Sequence, residues 1–136
     1  MKKHKHQLRV RYSETDQMGV VYHGSYIDWF EIGRREYFRE EGITYKDLEA
    51  EGILLIVANI ESSYHAPARY DDLVTVITKV EEFKRTKVEF SYEIKKVKTD
   101  ELLVTGQSSH AFVNQDFKPI SLQRKAPEYW AKIFDN

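Results

Sequence analysis

The chain contains no cysteine in its 136 residues. This absence excludes a disulfide-stabilised scaffold, a catalytic thiolate and a zinc site built from cysteine. An excess of charge of either sign is also missing, because 21 Lys and Arg residues balance 22 Asp and Glu residues. Without a strong overall field or a basic stripe, we expect no binding to nucleic acid or to anionic membrane surfaces.

Long hydrophobic runs are absent too. The longest apolar run covers residues 53–58, far fewer than the roughly 20 residues that a membrane-spanning helix needs. The first residues are basic, but no apolar segment follows them, so they do not resemble a secretory signal. We therefore expect a cytoplasmic protein with no stable membrane insertion, in which residues 1–6 form a flexible tail. His4 and His6 in this tail are too few to close a metal site.

Apolar and aromatic side chains are nevertheless plentiful, at 41% and 13% of the chain. This content is sufficient for a hydrophobic core and excludes wholesale disorder. A length of 136 residues is typical of one domain. We therefore expect residues 1–136 to form a single domain around one core.

Five segments have the composition and periodicity of β-strands. The clearest is the segment in which Val88, Phe90 and Tyr92 alternate with polar residues, as expected when one face of a strand is buried. In the first segment the same alternation places Tyr12 on the buried face. Short turns between the later segments indicate antiparallel pairing. The predicted strands cover residues 7–12, 53–65, 73–80, 87–97 and 102–114.

One long helix is predicted over residues 25–41. Ser25 is a suitable N-cap, one face carries apolar residues at helical spacing, and Gly42 is suited to ending the helix. Gly33 lies on the apolar face, where a glycine would allow a close approach to a sheet. Shorter helices are predicted over residues 44–51 and 126–134. These elements predict an α+β protein in which a curved antiparallel sheet wraps around one long central helix.

An acidic loop precedes the long helix. Asp16 lies in this loop, and Gly19 allows a tight turn three residues later. The first turn of a helix presents unpaired N–H groups with a partial positive charge. Beside them, a carboxylate could carry out acyl transfer, because the N–H groups polarise a carbonyl that the carboxylate attacks directly or through water. On the residues alone, a turn or capping role for Asp16 is the more frequent alternative.

The loop and helix carry the motif Tyr12-x-Glu14-Thr15-Asp16-x-x-Gly19-Val20-Val21-Tyr22-His23-x-x-Tyr26, followed by Trp29-Phe30-Glu31. This motif resembles that of hotdog-fold acyl-CoA thioesterases of the 4-hydroxybenzoyl-CoA thioesterase-like family, and most closely their YbgC-type branch. A second similar segment is Tyr64-His65-Ala66-Pro67-Ala68-Arg69-Tyr70-Asp71-Asp72. The resemblance implies the hotdog fold and hydrolysis of an acyl-CoA thioester to a free acid and CoA.

The resemblance also implies catalytic roles. Asp16 matches the family's carboxylate, which acts as a nucleophile or as a general base for water. The N–H of His23 matches the donor that polarises the thioester carbonyl, the His23 side chain could orient water, and Tyr22 would shape the helix entry. Glu31 is the rival acid, because another hotdog branch places its carboxylate within the helix. The 4-hydroxybenzoyl enzyme has tyrosine at the position of His23, and this difference favours the YbgC-type branch.

Substrate contacts are expected on later segments. Arg85 and Lys87 form part of a basic turn that is suited to the phosphates of CoA, and Arg69 has the same potential. The alternatives are a solvated hairpin for the basic turn, and for Arg69 a pairing with a neighbouring aspartate. The acyl pocket has three candidate lining residues, which are equally compatible with the core: Ile56, Val57 and Ala58.

No metal or organic cofactor is expected, because His23, His65 and His110 show no metal-ligand spacing. The exposed edges of a curved sheet favour association, and the resemblance implies a homo-oligomer, a dimer or tetramer, with sites between subunits. Two alternatives to a thioesterase stay open. One is a hotdog hydratase or dehydratase that acts on the same class of thioester, and the other is a non-catalytic acyl-CoA-binding domain.

Overall fold

A computed structural model describes residues 2–134 of the chain. The strands are β1 (Lys3–Arg9), β2 (Leu54–Tyr64), β3 (Leu73–Phe83), β4 (Lys87–Lys96) and β5 (Leu102–Val113). The helices are α1 (His23–Glu40), α2 (Tyr45–Ala50), α3 (Leu122–Lys125) and α4 (Pro127–Phe134). A single turn of 3₁₀-helix, Tyr12–Glu14, lies between β1 and α1.

The five strands form one antiparallel sheet in the order β1-β3-β4-β5-β2. Helix α1 covers one face of this sheet and buries Trp29, Phe30 and Phe38 completely. Gly33 faces β3, where a Cβ atom would lie 2.4 Å from the Thr78 hydroxyl oxygen. The predicted antiparallel sheet with one long helix is confirmed, and so is the close approach at Gly33.

Helix α1 begins two residues earlier than predicted, at His23. Tyr22 is the N-cap and makes no side-chain capping bond, so the prediction of Ser25 as the cap is wrong. Backbone hydrogen bonds hold the start of the helix in place of a capping side chain. The Tyr22 N–H donates to the Glu14 carbonyl at 2.8 Å, and the Ser25 N–H donates to the Tyr22 carbonyl at 2.9 Å. At the other end, Gly42 adopts the expected left-handed conformation, with φ of 86°.

The first strand also differs from its prediction. Strand β1 pairs with β3 from Lys3 to Arg9, so the expected flexible tail is wrong from Lys3 onward. Its inward side chains include two histidines, which carry no apolar signal, and the His4 imidazole lies against the Glu40 carboxylate of α1. Tyr12, predicted to be buried, lies in the 3₁₀ turn beyond the strand and is 77% exposed.

The remaining boundaries shift by a few residues. Strand β3 continues to Phe83 beyond a register shift, and α3 is a short helix that the prediction did not include. The predicted helix at residues 44–51 is confirmed as α2, with Thr44 as its N-cap. Across residues 2–134, no helix is both long and apolar enough to span a membrane.

A chain of buried polar groups crosses the core between α1 and the sheet. Arg34 donates to the Tyr92 hydroxyl at 3.0 Å, this hydroxyl contacts the Ser108 hydroxyl, and Ser108 lies 2.6 Å from His110 Nε2. Burial, and then the Arg34 charge, lower the pKa of His110 to about 3. His110 is therefore neutral at pH 7 and serves as a satisfied core histidine.

Candidate active site

The loop that carries Asp16 is a tight hairpin closed by its own backbone. The Asp16 N–H donates to the Val20 carbonyl at 2.9 Å, and the Gly19 N–H donates back to the Asp16 carbonyl at 3.0 Å. Gly19 has a φ of 78°, which favours glycine because other residues are strained there. The Asp16 Oδ1 accepts the Met18 N–H at 2.9 Å. Its Oδ2 has no hydrogen-bond partner among residues 2–134.

The start of α1 lies beside this hairpin. The Val21 N–H donates to the Ala68 carbonyl at 2.9 Å, and this bond ties the helix entry to the segment that follows β2. The N–H of His23, the first helical residue, has no acceptor within the described part of the chain. It therefore contributes to the partial positive charge that a helix N-terminus directs outward.

Asp16 and His23 line the same cleft, which has a volume of about 320 Å³. The cleft opens between the Asp16 hairpin, the first turn of α1 and the end of β2. A carbonyl group here could accept a hydrogen bond from the helix terminus while the carboxylate approaches its carbon. The lining residues are Asp16, Met18, Val20, Val21, His23, Tyr26, Tyr64, His65, Ala66 and Pro67.

Two tyrosines form an aromatic wall of the cleft. The rings of Tyr26 and Tyr64 lie 5.6 Å apart, and the Tyr64 hydroxyl donates to the His23 carbonyl at 3.3 Å. The Tyr26 hydroxyl accepts the Ala68 N–H at 3.0 Å. Burial raises the pKa of Tyr26 above 10.0, so this group is a neutral phenol at pH 7. This part of the wall is therefore uncharged and suited to an apolar acyl group.

Two of the predicted catalytic residues lie outside the cleft lining. Tyr22 is half exposed, and its ring folds over Gly24 and contacts the His23 ring at a centroid distance of 4.3 Å. Glu31 lies eight residues along α1 from His23, or about 12 Å. It is half exposed and lies 3.8 Å from Arg35. The structure thus groups Tyr22 with the cleft entrance and separates Glu31 from it.

The predicted substrate contacts at Ile56, Val57, Ala58, Arg85 and Lys87 occupy the opposite end of the sheet. On β5, Ile56 and Lys87 both pair with Ala111, whereas Tyr64 at the cleft pairs with Val104. Seven residues of extended strand span about 23 Å. Within one chain, these residues therefore do not meet Asp16.

Arg69 lies two residues beyond the cleft residue Pro67. Its backbone N–H donates to the Asp72 carboxylate at 2.9 Å, while its exposed side chain forms no ion pair within residues 2–134. The alternative of a side-chain pairing with Asp71 or Asp72 is thus replaced by a backbone contact. The guanidinium group stays available to a ligand at the cleft rim.

The histidines are separated in the fold. His23 and His65 line the cleft, where His65 Nε2 lies 2.9 Å from the Thr105 hydroxyl, whereas His110 is buried opposite Val57. Residues 2–134 contain no cluster of three or more His, Cys, Asp or Glu side chains able to hold a metal ion.

Reasoning from the sequence missed Tyr26, Tyr64 and His65 as cleft residues. For Tyr64 and His65 the available signal was the second family-like segment, residues 64–72, which begins at the end of β2 and passes directly beside the helix entry. Tyr26 is part of the first motif, where only its helical spacing was used.

Known proteins with similar sequences and structures identify the family and the fold. The model of the Thioesterase-like superfamily matches residues 10–128. YneP of Bacillus subtilis (strain 168), provisionally named an acyl-CoA thioesterase, is 37% identical over 92% of this chain and 91% of its own length. The acyl-CoA thioester hydrolase YbgC of Escherichia coli O157:H7 is 36% identical over 64% of this chain and 65% of its own length.

A solved structure is also very similar. DHNA-CoA thioesterase from Staphylococcus aureus superimposes with a TM-score of 0.92 at 37% sequence identity, covering 97% of this chain and 89% of that one. The predicted family and the hotdog fold are confirmed by these matches. The chain belongs to the thioesterase-like superfamily of hotdog-fold proteins.

Proposed function

We propose that this chain hydrolyses acyl-CoA thioesters to a free carboxylic acid and CoA. The observation that carries the proposal is the cleft shared by Asp16 Oδ2 and the His23 N–H, neither of which has a hydrogen-bond partner among residues 2–134. A carboxylate that attacks or activates water, together with a donor that stabilises the oxyanion, can carry out acyl transfer. The names of the relatives support the same reaction, because YneP and YbgC are both named for acyl-CoA thioester hydrolysis.

In the proposed mechanism, the thioester carbonyl oxygen accepts a hydrogen bond from the His23 N–H. In one route Asp16 attacks the carbonyl carbon, the carbon–sulfur bond breaks, CoA leaves as a thiolate that is then protonated, and water hydrolyses the resulting anhydride. In the other route Asp16 removes a proton from water, which attacks the carbonyl carbon directly. The resulting tetrahedral intermediate then collapses, the carbon–sulfur bond breaks, and CoA leaves as a thiolate that takes up a proton. The His23 side chain orients the water, Tyr22 shapes the entrance, and Glu31 is the rival acid.

We further propose a symmetric dimer in which two β2 edges pair. The other edge strand, β1, carries Lys3 and Lys5 with exposed side chains, and edge lysines oppose pairing. Strand β2, from Leu54 to Tyr64, contains neither lysine nor proline and has one unpaired edge within the described chain. Antiparallel pairing about a two-fold axis would bring the start of one β2 beside the end of the other.

In this dimer, the predicted substrate contacts at the far end of the sheet in one subunit would lie close to the Asp16 cleft of the other subunit. Ile56, Val57 and Ala58 of one subunit would approach the Tyr64 end of the partner's β2, beside the Asp16 cleft. Arg85 and Lys87 lie at the same end of the sheet as Ile56, so they would reach the CoA phosphates from across the interface. Two such dimers could then form a tetramer.

The decisive test is Asp16→Asn. We expect kcat to fall by at least about 100-fold, because a positioned carboxylate contributes about 10²–10⁴-fold. Free thiol released from acyl-CoA is followed with a thiol reagent. The control is Asp28→Asn, which alters an exposed carboxylate of α1 outside the cleft. Near-normal turnover by the Asp16 variant would reject its role, and a loss confined to Glu31→Gln would assign the reaction to the rival acid.

The acyl group is best identified with a panel of substrates. The aromatic wall of Tyr26 and Tyr64 favours a flat acyl group, and DHNA-CoA is the substrate in the name of the Staphylococcus aureus structure. The panel therefore compares DHNA-CoA with straight-chain acyl-CoAs of graded length. Binding of every member without thiol release would indicate a binding domain, and a change in enoyl-CoA absorbance without thiol release would indicate a hydratase.

A further inference from the structure

Glu14 makes a set of contacts that the proposed reaction does not use. Its side chain is only 10% exposed, although it is a carboxylate in a surface loop. One oxygen accepts the Trp29 indole N–H at 2.7 Å, and the other accepts the Arg11 backbone N–H at 2.8 Å. Trp29 is completely buried on the inner face of α1. The carboxylate thus bridges the loop and the core side of the helix.

The backbone of Glu14 adds a second link to the same helix. Its carbonyl accepts the N–H of Tyr22, the residue immediately before His23, at 2.8 Å. On the other side, Asp16 is only two residues away, and an isolated β-bridge joins Thr15 to Val21. One residue therefore contacts both the loop that holds the acid and the turn that presents the N–H donor.

We infer that Glu14 is a positioning residue, whose carboxylate holds the Asp16 loop against α1 and so sets the distance between the acid and the His23 N–H. The inference rests on the proposed function, because it assigns catalytic importance to that distance. Misplacement of a reacting group by about 1 Å can cost about 10²-fold in rate. The two hydrogen bonds of the Glu14 carboxylate, to Trp29 and to Arg11, are called the clamp below. Loss of the clamp would therefore lower the rate of the reaction.

The chemistry of the contact requires a carboxylate. Two N–H donors point at the two oxygens, and an ionised carboxylate offers acceptors to both. A glutamine offers one acceptor and one NH₂ donor, so one of the two N–H groups loses its partner. If the lost partner is the buried Trp29 indole, that donor has no water to replace it. Glu14→Gln therefore removes one arm of the clamp with almost no change in side-chain volume.

The experiment compares Glu14→Gln, Trp29→Phe and the double variant with the parent chain, using the thiol-release assay below the unfolding temperature of each variant. We expect each single change to lower kcat about 10- to 100-fold and to leave KM within about 2-fold, because the acid is displaced while the cleft persists. The double variant is expected to lose less than the product of the two single losses, because both changes act on the hydrogen bonds of the same Glu14 carboxylate.

The matched control is Glu36→Gln. Glu36 is a half-buried carboxylate of the same helix that lies 3.3 Å from Arg39 and 3.6 Å from Arg35, about 20 Å from His23. Its substitution also removes ion pairs, so it reports the effect of lost stability alone. We expect unchanged kcat for this variant even where its unfolding temperature falls.

Outcomes for the inference and for the proposed function are separable. If Asp16→Asn abolishes turnover while Glu14→Gln and Trp29→Phe retain normal kcat, the clamp is refuted and the proposed reaction stands. If Asp16→Asn retains turnover, the proposed acid and the clamp are both refuted. Should Glu14→Gln not fold, Trp29→Phe alone decides, because it removes the hydrogen bond between the indole N–H and the Glu14 carboxylate and keeps an aromatic ring in the core. Normal kcat in that variant overturns the inference.

Discussion

Gly33 offers a sharp test of how closely α1 approaches the sheet. A Cβ atom at this position would lie 2.4 Å from the Thr78 hydroxyl oxygen and 3.0 Å from a Val76 methyl group. Contacts below 3.0 Å are essentially never seen for real Cβ atoms. Gly33→Ala therefore forces either the helix or the Thr78 side chain to move.

Two opposing terms set the size of the effect. Alanine in a helix interior is favoured over glycine by about 1 kcal/mol, whereas an extra methyl group in a packed core costs about 1–3 kcal/mol. Thr78 is completely buried, and its hydroxyl has no hydrogen-bond partner among residues 2–134, so rotating it breaks no bond. We therefore expect a net loss of about 1 kcal/mol, or roughly 3–5 °C in unfolding temperature.

The measurement is denaturant and thermal unfolding of Gly33→Ala in two backgrounds. Thr78→Ala removes the hydroxyl that clashes, so in this background the helix-propensity term dominates and Gly33→Ala is expected to be neutral or stabilising. The sign of the effect should therefore change with residue 78. An identical loss of stability in both backgrounds would refute the close contact as its cause.

Two further predictions concern pH and CoA binding. Since the pKa of His110 falls from 6.5 to about 3 on folding, only the unfolded chain takes up this proton between those values. The free energy of unfolding should fall by up to about 5 kcal/mol as the pH drops from 6.5 to 3, and His110→Gln should flatten this part of a denaturation series. Substituting Arg85 and Lys87 by alanine should raise KM for acyl-CoA about 5- to 10-fold and spare an acyl thioester that lacks the nucleotide; equal KM changes for both substrates would contradict a phosphate contact.

Regular apolar periodicity explains why most of the fold was predictable. Tyr26, Phe30 and Gly33 recur at helical spacing and lie on the buried face of α1. The alternation of Val88, Phe90 and Tyr92 likewise corresponds to the buried face of β4. These patterns reflect solvent exclusion along one element, which a single sequence records directly.

Where the buried face is polar, this signal disappears. The inward positions of β1 include His4 and His6, and two histidines in a lysine-rich segment resemble a solvated tail. Pairing with β3 turns both histidines inward, where they are half-buried, and His4 lies against Glu40 of α1. The N-terminus of α1 was misplaced for a related reason, because Tyr22 is held by the Glu14 carbonyl and not by a capping side chain that a sequence would reveal.

The candidate site likewise combines residues that a local sequence pattern reveals with residues that only long-range contacts bring in. Asp16 and His23 lie seven residues apart in one motif, so a local pattern identified them together. Tyr64 reaches the cleft only because β2 ends beside the helix entry, and that proximity depends on the register of the whole sheet. Long-range contacts of this kind leave no periodicity in the chain.

The hydrogen bonds of the Asp16 hairpin make Asp16→Asn an unusually clean perturbation. Backbone bonds to Val20 and Gly19 close the loop, and the side chain contributes one bond, from the Met18 N–H to Oδ1. An asparagine can keep this bond through its amide oxygen while its NH₂ group replaces Oδ2, the atom that has no partner within the described residues. The loop geometry should therefore survive while the negative charge and the attacking oxygen are lost, so a fall in kcat without a fall in unfolding temperature isolates the chemical role of Asp16.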